Sequence, residues 1–285
     1  MLNEWFYSHK TWQIGLLIDV VLLVVSLFGL RLFHRLVAWH PREEHTHMVG
    51  LSYALCGSVY AVIIALVAGS IFETMDKSEG IAAEEANSLA ALIFDSSGLG
   101  PQSADLVRGK TNRYIDVVTE KEWPCQRAYK MESANFEEGW ALLRQISVDL
   151  ASFEPKSQGQ ATVKMEMEHD INDLFTARRQ RLLAATQHVP GAIWGMLLFG
   201  LGVVCVYVYL FGPHSYKIHM AVTAMTVLSV GFVFTLVIAE DYPFRGIVSV
   251  DSEAYTDVKE VAERVYHPET APKEGERTVT PGSER

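Results

Sequence analysis

The residues of this chain that could do chemistry are polar groups set inside or beside long apolar runs. Asp19 lies inside the first such run, about a turn and a half from its start. A carboxylate at that depth is costly and marks an ion path or a relay by default. Near an interface it can equally hydrogen-bond Trp12 or Tyr7. The second run carries two patterned faces. On one, Ser52, Cys56, Val59, Ile63, Leu66, Ser70 and Thr74 recur at three- and four-residue spacing. Polar ends around an apolar waist could line a pore with a hydrophobic constriction, and could equally face lipid or a neighbouring helix. On the other, Gly57, Ala61, Ala65 and Gly69 recur every four residues, flanked by Ala54 and Ala68. Small residues at this spacing let helices approach closely in lipid, whether the partner belongs to this chain or to another copy. Glu73, Asp76, Lys77, Glu79, Glu84 and Glu85 follow. In a symmetric assembly each would form a ring, and Glu73 and Asp76 would set the field at a pore mouth. The bland alternative is a solvated helix extension.

Other clusters carry less. His34, His40, His45 and His47 are metal-ligand types, but their spacing matches no defined site, so no metal and no cofactor are expected. Arg178, Arg179 and Arg181 precede the third apolar run, where such residues commonly contact anionic headgroups. Cys56, Cys125 and Cys205 make no disulfide framework. No P-loop, Gly-x-Ser-x-Gly, CxxC pair or His-Glu-x-x-His occurs, so the chain does not read as an enzyme.

These groups are positioned by four runs of the length that spans a bilayer. They are Ile14–Phe33, Val49–Phe72, Val189–Gly212 and Ile218–Ala239. The first is too long for a signal peptide and lacks a cleavage site, so it reads as a retained helix. Trp5, Trp12, Trp39 and Trp194 sit near the edges, where aromatic rings collect. The 285 residues are 49% hydrophobic and 20% charged with a net charge of −10, and the mean hydropathy is +0.12. That combination excludes a plain soluble enzyme, and the acidic balance gives no support to nucleic-acid binding. Lys10, Lys77, Arg178, Arg179, Arg181 and Arg245 outnumber Arg31, Arg35 and Arg42 across the spans, which places both termini and the middle in the cytoplasm.

The middle reads as helices. The second spanning helix continues through Ala82–Leu92, and a turn follows at Asp95. A helix from Ser103 ends at Pro124. Phe136, Trp140, Leu143, Ile146, Leu150 and Phe153 form one buried stripe, and Ile171, Leu174, Phe175 and Leu182 another. The chain divides into membrane helices 1 and 2 (1–72), a helical cytoplasmic domain (73–188), membrane helices 3 and 4 (189–240), a juxtamembrane segment (241–266) and a disordered polar tail (267–285).

This layout resembles the bacterial membrane-protein family with a bestrophin-like domain. The local features that carry the likeness are Glu84, Glu85, Asn87 and Leu89; Tyr114, Val118, Glu122 and Trp123; Arg178, Arg179, Arg181 and Leu182 leading to Val189, Pro190 and Trp194; and the run from Asp241 to Gly246. The resemblance implies an all-α integral membrane fold, four transmembrane helices with a cytoplasmic helical domain between helices 2 and 3, and a homo-oligomer, with a pentamer as a candidate ring. It also implies passive transport of small inorganic ions, anions first, along helix 2, in a bacterial inner membrane. Two features depart from bestrophins. The waist is Val59, Ile63 and Leu66, with only Tyr60 nearby, where bestrophins carry bulky aromatics. The stretch Asp251–Asp257 has no clear counterpart of their calcium clasp. The rival reading is a non-conducting membrane scaffold or sensor whose middle domain binds an unidentified soluble partner. An exposed apolar patch around Trp123 or Trp140 would favour it.

Overall fold

The computed structural model describes residues 11–37, 40–211, 215–246 and 249–266. Nine α-helices are described: α1 (Thr11–Leu36), α2 (His40–Asp95), α3 (Pro101–Asp116), α4 (Trp123–Arg127), α5 (Glu137–Ser152), α6 (Gln158–Ala184), α7 (Gly191–Leu210), α8 (Tyr216–Ala239) and α9 (Glu253–Tyr266). No strand occurs among the described residues. Four helical stretches are long and apolar enough to cross a bilayer: Gly15–Leu36, part of His47–Leu99, Gly191–Leu210 and Tyr216–Ala239. The chain forms two compact units, Met1–Ser78 with Ala184–Val250, and Glu79–Leu183 with Asp251–Arg285.

In the first unit, one stripe of α2 is buried. Tyr60, Ile64, Val67 and Ile71 pack against Leu197, Leu201 and Val204 of α7 and against Phe234 and Val237 of α8. The Tyr60 hydroxyl donates to the Leu197 carbonyl at 2.7 Å. Its ring lies so close to Gly200 that a Cβ there would collide with it. The tight small-residue packing of this unit therefore uses glycines of α1, α7 and α8. Gly15 of α1 receives Thr235 of α8, and Gly231 of α8 receives Asp19 of α1. By contrast, a Cβ on Gly57 or Gly69 would meet nothing within 4 Å, and Ala61 and Ala65 are exposed. No part of the described chain packs onto that stripe.

In the second unit, the two predicted stripes form the core. Phe136, Leu143, Ile146 and Leu150 are buried, as are Met167, Ile171 and Leu174 of α6 and Leu89, Leu92 and Ile93 at the end of α2. Helical structure does not stop at Pro124 as the sequence suggests. A π-helical turn, Val117–Glu122, follows α3, and the Trp123 N–H reaches back to the Val118 carbonyl. Proline lacks an N–H and its ring crowds the carbonyl four residues earlier. The widened turn accommodates it at the start of α4. Within the stretch read from sequence only as a juxtamembrane segment, Glu253–Tyr266 forms the helix α9, with Tyr255 and Ala262 buried.

Candidate functional site

The residues of the predicted pore face lie along one exposed flank of α2. Val59 and Leu66 are 55% and 69% exposed, and Ser52 and Ser70 are exposed too. Cys56, Ile63 and Thr74 are half-buried where the flank turns toward the core. The Cys56 thiol lies 3.5 Å from the Tyr207 hydroxyl of α7. The Ser70 hydroxyl donates to the Val67 carbonyl at 2.8 Å, and that of Thr74 to the Ser70 carbonyl at 2.9 Å. Their oxygens keep lone pairs and no free proton. Tyr60, the aromatic nearest the waist, belongs to the buried stripe.

The charges beyond this face divide. Glu73 is held by Lys77 at 2.6 Å, both exposed. At about 100° per residue, Lys77 projects near the centre of the Ser52–Thr74 face, Glu73 near its edge, and Asp76 more than about 100° away. Asp76 has no ion-pair partner among the described residues. Asp19 sits against Gly231, with Oδ1 buried and without a hydrogen-bond partner. Its suggested partners Trp12 and Tyr7 lie outside the described side chains, as do those of His40 and His45. Among the described residues no group of three or more His, Cys, Asp or Glu could hold a metal.

Two expectations require correction. Arg178 and Arg181, read as headgroup contacts, are fully buried in the second unit, and so is Glu85, read as part of an exposed acidic run. Arg178 donates to both Glu122 oxygens at 2.9 and 2.7 Å, to the Tyr114 hydroxyl at 2.9 Å and to the Phe136 carbonyl at 3.0 Å. Arg181 donates to Glu85 at 2.7 and 3.2 Å, to Glu122 at 2.9 Å and to Gln126 at 2.9 Å. Tyr114 in turn donates to Glu85. The guanidinium of Arg178 lies 4.7 Å from the Trp140 ring centroid. Two cations and two anions cancel, and the bidentate geometry supplies the hydrogen bonds that burial would otherwise forfeit. Burial works against the Arg181 cation, but Glu85 and the other surrounding groups raise its pKa well above the ordinary arginine value. Burial, then Glu85, pushes the Tyr114 hydroxyl well up, so it stays a donor. Arg179, between the two arginines, is exposed.

A family model for the bestrophin-like domain matches residues 20–255. The chain belongs to the bestrophin-like domain family. Among solved structures, a bacterial bestrophin homologue from Klebsiella pneumoniae is 11% identical with a TM-score of 0.59, covering 88% of this chain and 96% of that one. A single-substitution variant of the Klebsiella pneumoniae homologue is 11% identical with a TM-score of 0.58, covering 87% and 96%. No curated protein sequence matches. The bestrophin-like chain is thus an all-α integral membrane protein with the bestrophin fold.

Proposed function

We propose that this bestrophin-like protein is an oligomeric channel for passive ion transport, with α2 lining the path. The observation that carries the reading is the pair of largely uncovered faces on α2. The Ser52–Thr74 flank and the Gly57–Gly69 stripe lie on well-separated sides of one spanning helix; a Cβ on Gly57 or Gly69 would meet nothing within 4 Å, and the flank is covered by this chain only along its edge at Cys56, Ile63 and Thr74. One face can pack on another copy while the other lines an axis. The fold of the solved bestrophin homologues supports a channel-like architecture and a non-enzymatic role. Val59, Ile63 and Leu66 form the constriction, which gates by dewetting. Glu73 and Lys77 leave the mouth close to neutral, so no carboxylate ring opposes the anion passage that the family implies. Asp19 tunes the α1–α8 contact from within the membrane unit. The protein resides in a bacterial inner membrane with its second unit in the cytoplasm.

Neither tryptophan around which the scaffold reading looks for an exposed patch stands clear of the fold. Trp123 is 2% exposed, and Trp140 stacks on Phe175 with centroids 6.1 Å apart. The test is ion flux in liposomes of purified protein. Ile63→Ala should raise conductance, and Lys77→Gln, by leaving Glu73 unopposed, should move the reversal potential toward cations. Absence of flux at every voltage and pH refutes the proposal.

A further inference from the structure

The first unit holds a cavity of about 360 Å³ between the end of the spanning part of α2, the start of α7 and the turn after α8. Such a volume is at the lower end of small-molecule sites. Its walls include Ile71 and Ile193 on the apolar side and Ser70, Thr74, Glu240 and Asp241 on the polar side. Glu240 is only 7% exposed. Its carboxylate has no hydrogen-bond or ion-pair partner among the described residues. A carboxylate this covered and without a partner in the chain either holds its proton or takes a partner from outside. Beside Glu240 the wall presents acceptors at Ser70, Thr74 and Asp241, while Thr186, Gln187 and His188, which also line the cavity, are exposed and carry donors. The Ser70 and Thr74 hydroxyl protons are committed to backbone carbonyls. Asp241 Oδ1 accepts the Val189 N–H at 2.7 Å, which leaves its second oxygen free. His188 also lines the cavity, stacked on Tyr242 at 5.7 Å.

We propose that this cavity binds a small organic ammonium ion, an amine with a short apolar body. The cationic head would donate to Glu240, Asp241 and the two hydroxyl oxygens, and the body would lie against Ile71 and Ile193. An inorganic divalent cation fits worse. It needs six or more oxygen ligands, and half of this wall is hydrocarbon. Burial, and then Asp76, holds the Glu240 pKa above the usual carboxylate range. Ammonium binding favours the anion, so it should release a proton and strengthen as pH rises through that range. His188 is the one basic group of the lining.

The test uses the full chain in phosphatidylcholine nanodiscs, titrated with cyclohexylammonium and, separately, with the neutral isostere cyclohexanol; empty discs correct for partition. The expected result is a saturable calorimetric signal and thermal stabilisation with the ammonium alone. Glu240→Gln should weaken it at least tenfold while the protein stays folded, because an amide replaces an unpaired buried charge. Ile193→Trp, which fills the apolar side and leaves every charge in place, should abolish it. Equal binding of cyclohexanol, unchanged affinity in Glu240→Gln, or no saturable signal overturns the proposal. The readout is binding, so it stands or falls independently of conduction.

Discussion

Replacing Arg178 with Met would test whether the buried ion network holds the second unit together. The substitution keeps a long side chain and removes four hydrogen bonds, two to Glu122 and one each to Tyr114 and the Phe136 carbonyl. Glu122 then keeps only its contact with Arg181, at 2.9 Å. Breaking a buried pair from one side costs about 3–5 kcal/mol, because it strands the other charge. For a unit of this size, each kcal/mol lowers the midpoint by about 4 °C, so the shift should be about 12–20 °C. The double variant Arg178→Met, Glu122→Met removes both stranded partners. It should be more stable than the sum of its singles by at least about 1 kcal/mol. Arg178→Lys should fall between, since a point charge cannot bridge both carboxylate oxygens. The assay is thermal unfolding in detergent followed by near-ultraviolet dichroism, with hydrogen exchange locating the loss. A shift for Arg178→Met below about 1 kcal/mol, together with additive singles, would refute the reasoning.

Three further predictions use the same structure. Gly231→Val should destabilise the first unit strongly, because even a Cβ there collides with Asp19, and Asp19→Ala in the same chain should partly rescue it in a thermal melt. Gly57→Leu should leave the fold of a single chain intact, since nothing lies within 4 Å of its Cβ, but should shift the oligomer mass measured in detergent. Burial, with Asp95, Glu166 and Asp173 adding repulsion, raises Asp170 from 3.8 to about 6. Between those values the folded state keeps a proton that the unfolded chain has released, so stability falls as pH rises through the window. Asp170→Asn should therefore gain thermal midpoint relative to the parent above pH 6 and not below pH 4, and equal profiles would reject the shift.

Hydrophobic period located the spans and the two stripes of the second unit because both patterns are dense and unbroken. The buried network was harder to see because charge masked the period. Glu85 occupies the same heptad positions as Ala82, Leu89 and Leu92, and Arg178 and Arg181 continue the row of Ile171 and Leu174. A charged residue in step with a buried stripe is a signal for a paired interior ion, and it was available in the spacing. Its partners were not, because Glu122 is brought in by a π-helical turn that no local pattern announces. The α9 helix was missed for a related reason, since only Tyr255 and Ala262 mark its buried side. The glycine pattern left open whether the partner helix belongs to this chain, and spacing alone does not decide it. The most regular small-residue stripe, Gly57 to Gly69, packs on nothing in the described chain, whereas the isolated Gly15, Gly200 and Gly231 each accept a side chain from a neighbouring helix.

That contrast bears on how a path along α2 would work. Contacts within the chain consume the stripe from Tyr60 to Ile71 and the glycines of α1, α7 and α8, and the interior charges of the second unit neutralise one another. The features of α2 that the chain leaves largely uncovered are the small-residue stripe, the exposed part of the face from Ser52 to Thr74, centred on Ser52, Val59 and Leu66, and the Glu73–Lys77 pair. A stripe of small residues has value in lipid only when another helix approaches it, because the hydrocarbon itself rewards Leu equally well. Assembly through that stripe would turn the remaining face inward, where its hydroxyl oxygens can meet an ion and its Val59, Ile63 and Leu66 waist can exclude water. On the proposed reading, a variant that blocks assembly, such as Gly57→Leu, should therefore abolish flux without touching a residue of the face proposed to conduct.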